Sequence, residues 1–412
     1  MTTRNHLNSF EKLEPETMDN ISRTADELLC IEHLDFDNTR YLASALFCLG
    51  RYDESIEQFE RMLSMKCDDK ETIACLAINH FQKQDYRTAL EYLNRGLEID
   101  PENRRMLSYR MLSYEYLGDF KGAVRCGERI LEKNPKYEPA ISHLIDCHLE
   151  LGNYDECLDY ISQMKYEDPC RKALILYRAK RFEECIMEAG KVKTAQSYRL
   201  TGKAYHRLGN EMKAVKYLYR SYEKDENVDI LFEISDIYSE IGDYQRAVHF
   251  LKEALLHDEN NAETCCRIAH AYLRSSKLDD AVEYGEKTLE INKKMPKAYS
   301  ILASATFQMT VQPEKSLEII EEGLRENPES VELWCEKGSY GLSADVYGFE
   351  QAYEKAISLN PNDCETYKKY IFVLLLCGEY EAAKKQYNQM LLFNPLFEKN
   401  FEELKESMHI SC

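Results

Sequence analysis

The segment YRLTGKAYHRLG, at residues 198–209, holds the residues whose types and spacing most resemble a chemical site. A phosphate-binding loop requires the pattern G-x-x-x-x-G-K-[ST] between a strand and a helix. Here the Gly-Lys pair at 202–203 is followed by Ala204 and lies in a helical pattern, and the pair at 190–191 is followed by Val192. Neither pair therefore predicts a phosphate site.

Metal-binding and catalytic patterns are equally weak. His143 and Cys147 stand four residues apart and share a predicted helix face, with His148 and Cys157 nearby, but Cys157 occupies a position that Ala or Ser fills in related segments. That substitution pattern is typical of a small packing residue. The sequence has no H-E-x-x-H, no G-x-S-x-G and no Cys/His nucleophile signature. It thus predicts no enzyme activity, no metal and no cofactor.

A binding role is the better prediction for the segment. Arg199, Lys203, His206 and Arg207 occur at i, i+4, i+7 and i+8, which places them on one helix face. Guanidinium groups bind carboxylates through two parallel hydrogen bonds, so this face suits an acidic protein segment. The alternative is a solvated stripe that neighbouring acids partly neutralise.

The overall charge restricts the partners. The chain has 412 residues and a formal net charge of −20, which disfavours nucleic acids and anionic membranes. The opening MTTRNHLNSFEKLEPE predicts no signal peptide, and the longest apolar run, residues 370–377, is too short to span a membrane. Fifteen cysteines without a C-x-x-C pattern favour reduced thiols. We expect a cytoplasmic protein.

The elements that position the basic face form a repeat. Related segments such as LGRYDESI, LGDFKGAV, LGNYDECL and IGDYQRAV each join a glycine turn to a helix with a small residue. The first small residues lie 34 positions apart, and later intervals of 28, 29, 33, 34 and 35 continue the series: Ser55, Ala89, Ala123, Cys157, Cys185, Ala214, Ala247, Ala281, Ser316 and Ala383. The last interval, 67, holds two repeats.

Six of the ten prolines give the same period. Each follows Asp or Asn at the end of a repeat: Pro101, Pro135, Pro169, Pro328, Pro361 and Pro395. An Asx-Pro step ends one helix and opens the next. Between these steps the apolar residues recur at helical spacing, which predicts two helices of about twelve residues per repeat. Gly202 lies at a predicted close crossing of the two helices.

This pattern resembles the tetratricopeptide repeat over about residues 36–395. The resemblance implies an all-α solenoid, a right-handed superhelix of about eleven helix–turn–helix repeats with terminal capping helices. The expected divisions are an N-terminal segment with a covering helix, a regular block, an irregular short repeat, two further blocks and a capping helix: 1–35, 36–169, 170–194, 195–329, 330–395 and 396–412. We expect the short repeat to have lost about six residues, mainly from its first helix, and to form a kink.

The resemblance also implies that the first helices line a groove for extended or helical protein segments. Arg199, Lys203, His206 and Arg207 then lie in this groove, with Phe232 and Asp236 of the next repeat beside them. A co-chaperone clamp for heat-shock-protein tails is a weaker match, because Glu233 stands where that clamp has Asn, followed by Arg267 in the third repeat.

The sequence therefore predicts a non-catalytic scaffold or adaptor that binds protein or peptide segments, within a larger complex. Two alternatives are an enzyme-associated or metal-dependent regulator with a site in the irregular middle, near Cys170 and Cys185, and a heat-shock co-chaperone. Self-association into a homo-oligomer is also open.

Overall fold

The computed structural model describes residues 15–31, 33–66, 69–166, 168–344, 349–393, 401 and 403. The secondary structure of these residues consists of 23 α-helices. The chain divides into two compact units, Met1–Lys193 (unit 1) and Thr194–Cys412 (unit 2).

Unit 1 contains the first eleven helices: α1 Pro15–Leu29, α2 Phe36–Cys48, α3 Tyr52–Met65, α4 Lys70–Gln82, α5 Tyr86–Ile99, α6 Arg104–Tyr116, α7 Phe120–Lys133, α8 Glu138–Leu151, α9 Tyr154–Ser162, α10 Pro169–Arg178 and α11 Phe182–Ala189. Unit 2 contains the other twelve: α12 Ala195–Arg207, α13 Glu211–Asp225, α14 Val228–Glu240, α15 Tyr244–His257, α16 Ala262–Arg274, α17 Leu278–Ile291, α18 Pro296–Thr310, α19 Pro313–Glu326, α20 Val331–Ser343, α21 Phe349–Leu359, α22 Cys364–Leu376 and α23 Tyr380–Phe393. Within each unit, consecutive helices pack against one another.

The small residues of the repeat mark the close crossing between the two helices of each pair. Ser55 Oγ donates a hydrogen bond to the Ala43 carbonyl at 2.7 Å, and Ser316 Oγ donates to the Ala303 carbonyl at 2.8 Å. Cys157 makes the same contact through its thiol and is fully buried. Its predicted packing role is confirmed.

Gly202 allows α12 and α13 to approach closely. A Cβ atom at this position would lie 2.7 Å from Leu218 Cγ and 3.0 Å from the Ala214 carbonyl oxygen. Both distances are below ordinary carbon contacts, so the predicted close crossing is confirmed. The Gly202-Lys203 pair lies inside a helix and is part of no phosphate loop.

The turns and helix starts follow from local sequence. Gly209 ends α12 with φ of 71°, a conformation that glycine adopts without strain. The side chain of Asn210 then accepts a hydrogen bond from the Lys213 backbone N–H and caps α13. Asp119 and Asp243 cap α7 and α15 in the same way. A glycine turn followed by a capping residue thus sets the boundary within a repeat.

The irregular repeat is short mainly in its second helix, α11, which has 8 residues, whereas its first helix, α10, retains 10. The second helix of the preceding repeat, α9, is also short, with 9 residues. The expectation that the first helix carries most of the loss is therefore wrong. The cause is local: Asp168 caps α10 with Pro169 at its first position, and Thr194 forms a capping box that starts α12 soon after α11 ends. The kink stays a prediction.

At the N-terminal end, α1 packs against α2 through Ala25, which is fully buried, and Leu42. Most of the predicted capping helix at 396–412, including Phe397 and Leu404, lies outside the described residues. Phe401 is described and packs against Tyr387 with ring centroids 5.4 Å apart. The turn of the tenth repeat, residues 345–348, is also outside the described part.

Candidate protein-interaction site

The predicted binding residues lie on the first helices of the repeats in unit 2, which are α12, α14, α16, α18, α20 and α22. Side-chain caps fix where several of them begin, with Thr194 for α12, Asn227 for α14 and Asn261 for α16. Side chains of neighbouring first helices touch along one surface, which we call the first-helix face. Its rigid helices hold charged groups of adjacent repeats at fixed separations.

The junction between α12 and α14 brings two predicted cations onto one carboxylate. Arg199 donates to Glu233 Oε1 through Nε at 3.1 Å and Nη2 at 2.5 Å. Lys203 Nζ lies 2.9 Å from the same oxygen. Hydrogen bonding to Glu233 raises the pKa of Arg199 above its usual value. The two cations are thus held by the protein itself, and Glu233 offsets one of their two positive charges.

The remaining predicted cations lie at the C-terminal end of α12. His206 Nε2 is 3.3 Å from Glu240 Oε2, and His206 Nδ1 is 3.8 Å from Glu211 Oε1. Arg207 is exposed in the last turn of the helix. Carboxylates therefore accompany His206 as they accompany Arg199 and Lys203.

Phe232 and Asp236 meet at the next junction, between α14 and α16. Arg267 Nη1 lies 3.1 Å from Asp236 Oδ1, and its guanidinium stands over the Phe232 ring at 5.2 Å from the centroid. Arg267 also approaches Glu263, one turn earlier on its own helix, at 3.2 Å. The predicted residues are thus connected in a row from Arg199 to Arg267.

Two members of this row, Glu233 and Arg267, were weighed in the sequence only as a poor match to a co-chaperone clamp. The pairing of Arg199 with Glu233 has a simple sequence signal, since Glu233 follows Arg199 by 34 residues and equivalent positions of a repeat lie on neighbouring helices. Arg267 follows Glu233 by the same 34 residues, yet it pairs with Asp236, about one turn farther along α14. The period therefore indicates which helices meet, whereas the exact partner depends on side-chain direction.

The other candidates of the sequence are structural. His143 Nδ1 is 3.0 Å from Glu115 Oε2, and the Cys147 thiol donates to Glu115 Oε1 at 3.3 Å. Burial raises the pKa of Cys147 far above its usual value, so the thiol stays protonated. Within the described residues, no group of three or more His, Cys, Asp or Glu side chains is arranged to hold a metal ion.

The irregular middle gives no more support to a chemical site. Cys185 is fully buried, and burial raises its pKa to about 11. Such a thiol is a packing group and a poor nucleophile at neutral pH. Among the described helices, none is both long enough and apolar enough to cross a bilayer.

This fold defines a helical-repeat protein built from stacked helix pairs. Models of the tetratricopeptide repeat match residues 116–180 and residues 76–103, 228–261 and 262–295. The chain is a tetratricopeptide repeat protein.

Similar proteins come from distant organisms. The chain is 21% identical over 274 residues to BBSome complex member BBS4 of Bos taurus, covering 63% of this chain and 52% of that protein. It is 24% identical over 345 residues to TPR repeat-containing protein MJ1428 of Methanocaldococcus jannaschii, covering 73% and 59%. It is 21% identical over 297 residues to Hsp70-Hsp90 organizing protein 2 of Arabidopsis thaliana, covering 69% and 41%. The chain thus spans about half the length of these relatives.

Proposed function

We propose that this protein is a non-catalytic scaffold that holds segments of partner proteins on the first-helix face of unit 2, as a subunit or adaptor of a larger assembly. The observation that carries the proposal is the row from Arg199 to Arg267, where ion pairs connect three neighbouring first helices. These pairs hold polar groups and the Phe232 ring on one preformed surface. Binding there requires little reorganisation.

The type of segment follows from the pairing. Arg199 and Lys203 already share Glu233, and one oxygen of that carboxylate, Oε2, is buried without a hydrogen-bond partner among the described residues. The row contains both cations and carboxylates. A segment with both hydrogen-bond donors and acceptors therefore pairs with more of its groups than a segment that offers carboxylates alone. We therefore propose a mixed-polarity segment at this place.

A reducing compartment suits this role. No cysteine of the described residues forms a disulfide, and most are buried. We accordingly place the protein in the cytoplasm, where thiols stay reduced.

Site-specific photo-crosslinking tests the proposal. A benzophenone amino acid replaces Phe232 on the first-helix face, and the full-length protein is irradiated in cell extract. The matched control places the same group at Met212, which is 73% exposed on a second helix, α13. We expect discrete crosslinked partners from position 232 that are absent from position 212. Equal products from both positions, or none from a folded position-232 variant, contradict the proposal.

Binding of heat-shock-protein tails is the second candidate, favoured by the similarity to an organizing protein and by the cations Arg199, Lys203 and Arg267. In this structure Glu233 already pairs with Arg199 and Lys203, two of the cations that a partner's terminal carboxylate would need. The Glu233→Asn variant separates the two functions. A peptide with a free C-terminal carboxylate should bind the variant at least tenfold more tightly than wild type, since the competing charge is gone. Tight binding to wild type, unchanged by the substitution, favours the co-chaperone.

A further inference from the structure

A second basic group lies farther along the same face, at the junction of α16 and α18. His270 and Arg274 are one turn apart on α16, and Lys297 lies in the first turn of α18, which contacts α16. All three side chains are exposed. We call these three residues the α16–α18 basic cluster.

One member of the cluster, Arg274, is oriented by a neighbouring side chain. Arg274 Nε donates to the Tyr244 hydroxyl at 3.3 Å, and the guanidinium lies 5.9 Å from the centroid of that ring. Since a tyrosine hydroxyl adds no charge, this contact orients Arg274 without neutralising it. The remaining guanidinium hydrogens stay available for a ligand.

The cluster differs from three other first-helix junctions of unit 2 in having no internal carboxylate acceptor among the described residues. Glu233 serves the α12–α14 junction, Asp236 serves the α14–α16 junction, and Glu336 accepts from Ser300 Oγ at 2.5 Å between α18 and α20. Neither Arg274 nor Lys297 forms an ion pair with a carboxylate of the described residues. The positive charge at α16–α18 is therefore uncompensated.

The titration of His270 agrees with this arrangement. Crowding around the ring, the charge of Lys297 on α18 and the charge of Arg274 on α16 lower the pKa of His270. Like charges thus stand close enough to oppose protonation, and no carboxylate counters them. An incoming anion removes this repulsion.

We propose that the α16–α18 basic cluster binds a short acidic segment of a partner protein, with two or three Asp or Glu carboxylates placed against Arg274, Lys297 and His270. A guanidinium, an ammonium and an imidazole supply the charge-assisted donors that carboxylates accept. The inference rests on the scaffold function proposed above, and it assigns a class of ligand to one part of the first-helix face.

The charge around the cluster selects a short protein segment over a nucleic acid. Acidic side chains lie on the same and the neighbouring first helices, with Glu263 and Asp236 paired to Arg267 and Glu332 in the first turn of α20, and the whole chain carries −20. A nucleic acid carries one negative charge per nucleotide along its length, so its phosphates would be repelled by these acidic side chains. A short acidic segment can place all of its carboxylates against the cluster.

Fluorescence anisotropy tests the assignment with the full-length protein and a fluorescein-labelled decapeptide of alternating Glu and Ser. We expect the Arg274→Gln/Lys297→Gln variant to bind at least tenfold more weakly than wild type. The matched control, Lys315→Gln/Arg325→Gln, removes the same two charges from exposed positions of the second helix α19 and should weaken binding less than about threefold. Circular dichroism verifies the folding of both variants.

Three results overturn the assignment. Equal weakening by the two variants means that the peptide responds to net charge alone. If wild type binds the Glu/Ser peptide no more tightly than a Gln/Ser peptide of the same length, an acidic segment is excluded as the ligand. Tighter binding of a ten-nucleotide thymidine strand than of the acidic peptide identifies a nucleic-acid site instead. If partners still crosslink at position 232 while the acidic peptide fails, the scaffold function stands and only this ligand is wrong.

Discussion

The α12–α14 and α16–α18 junctions are built from the same repeat, yet their charges are arranged in opposite ways. At the first, Arg199 and Lys203 converge on Glu233 within 2.9 Å. At the second, His270 and Arg274 face Lys297 with no described carboxylate paired to either long side chain. Both junctions join first helices of neighbouring repeats, and the side chains that meet there carry different charges.

The comparison separates two uses of charge in a stacked array. Cations that bind a carboxylate of the next repeat stabilise the stack and lose capacity for a ligand. Cations that face one another weaken the stack slightly and keep that capacity. A basic sequence pattern therefore indicates a site for an acidic ligand only where the next repeat supplies no acid, whereas paired charges suit a segment of mixed polarity.

The largest expected effect concerns the helix that carries the compensated patch. Gly202→Leu should lower the free energy of unfolding by about 2–3 kcal/mol, because the new side chain overlaps Leu218 and the Ala214 carbonyl. Urea denaturation of the full-length chain, followed by circular dichroism, measures the change. Gln196→Leu adds the same side chain at an exposed position of α12 and should change stability by less than about 0.5 kcal/mol. Equal losses in the two variants would contradict the close crossing.

A smaller loss is expected when the shared carboxylate is removed. Glu233→Gln keeps the shape of the side chain but leaves Arg199 and Lys203 without their counter-charge, so we expect a loss of about 1 kcal/mol in the free energy of unfolding. Glu263→Gln is the control, since that carboxylate is 59% exposed and should contribute less than about 0.5 kcal/mol. High salt should reduce the difference between the variants. If Glu233→Gln leaves the free energy of unfolding unchanged, the paired charges at the α12–α14 junction do not stabilise the stack.

The fold was predictable because its signals are local and repeated. The 34-residue spacing of small residues, with Cys157 and Ser55 in equivalent places, fixed the helix pairs, and the structure confirms their packing. The short repeat was harder. Where a helix stops depends on competing caps such as Asp168 and Thr194, and sequence spacing alone does not say which helix loses its turns.

The site was predictable in its residues but not in their partners. Arg199 and Lys203 were recognised on one helix face, and the period already placed Glu233 beside them. Whether Glu233 points at these cations depends on side-chain directions that one sequence does not give. The α16–α18 cluster was missed because Lys297 follows His270 by 27 residues and Arg274 by 23, so no shared period connects them.

The pH dependence of two histidines sharpens the comparison between paired and unpaired charge. A hydrogen bond to Glu115 raises the pKa of His143. The stabilisation that protonated His143 gives the fold is therefore fully present below the unfolded pKa of about 6.5, and it is lost as pH rises through the higher folded value. The lowered pKa of His270 has the opposite sign: stability is retained above about pH 6.5 and falls as the pH decreases. Urea denaturation between pH 5 and 8.5 should show that His143→Gln costs most at acidic pH, whereas His270→Gln becomes favourable there. Parallel pH profiles for the two variants would contradict the assignment.

The smallest expected change in stability belongs to Lys297→Glu, and its sign is the informative part. A carboxylate at this position gives His270 and Arg274 the partner that the other junctions possess, so the free energy of unfolding should rise by a few tenths of a kcal/mol. The same substitution should abolish binding of the acidic peptide, because it places a like charge where the ligand's carboxylate would lie. Lys294→Glu, at an exposed position just before α18, is the control and should affect the peptide only weakly. If the variant is more stable but no longer binds the acidic peptide, the unpaired cations hold the ligand and lower the stability of the stacked helices. If it is less stable and still binds the peptide, the acidic ligand lies elsewhere.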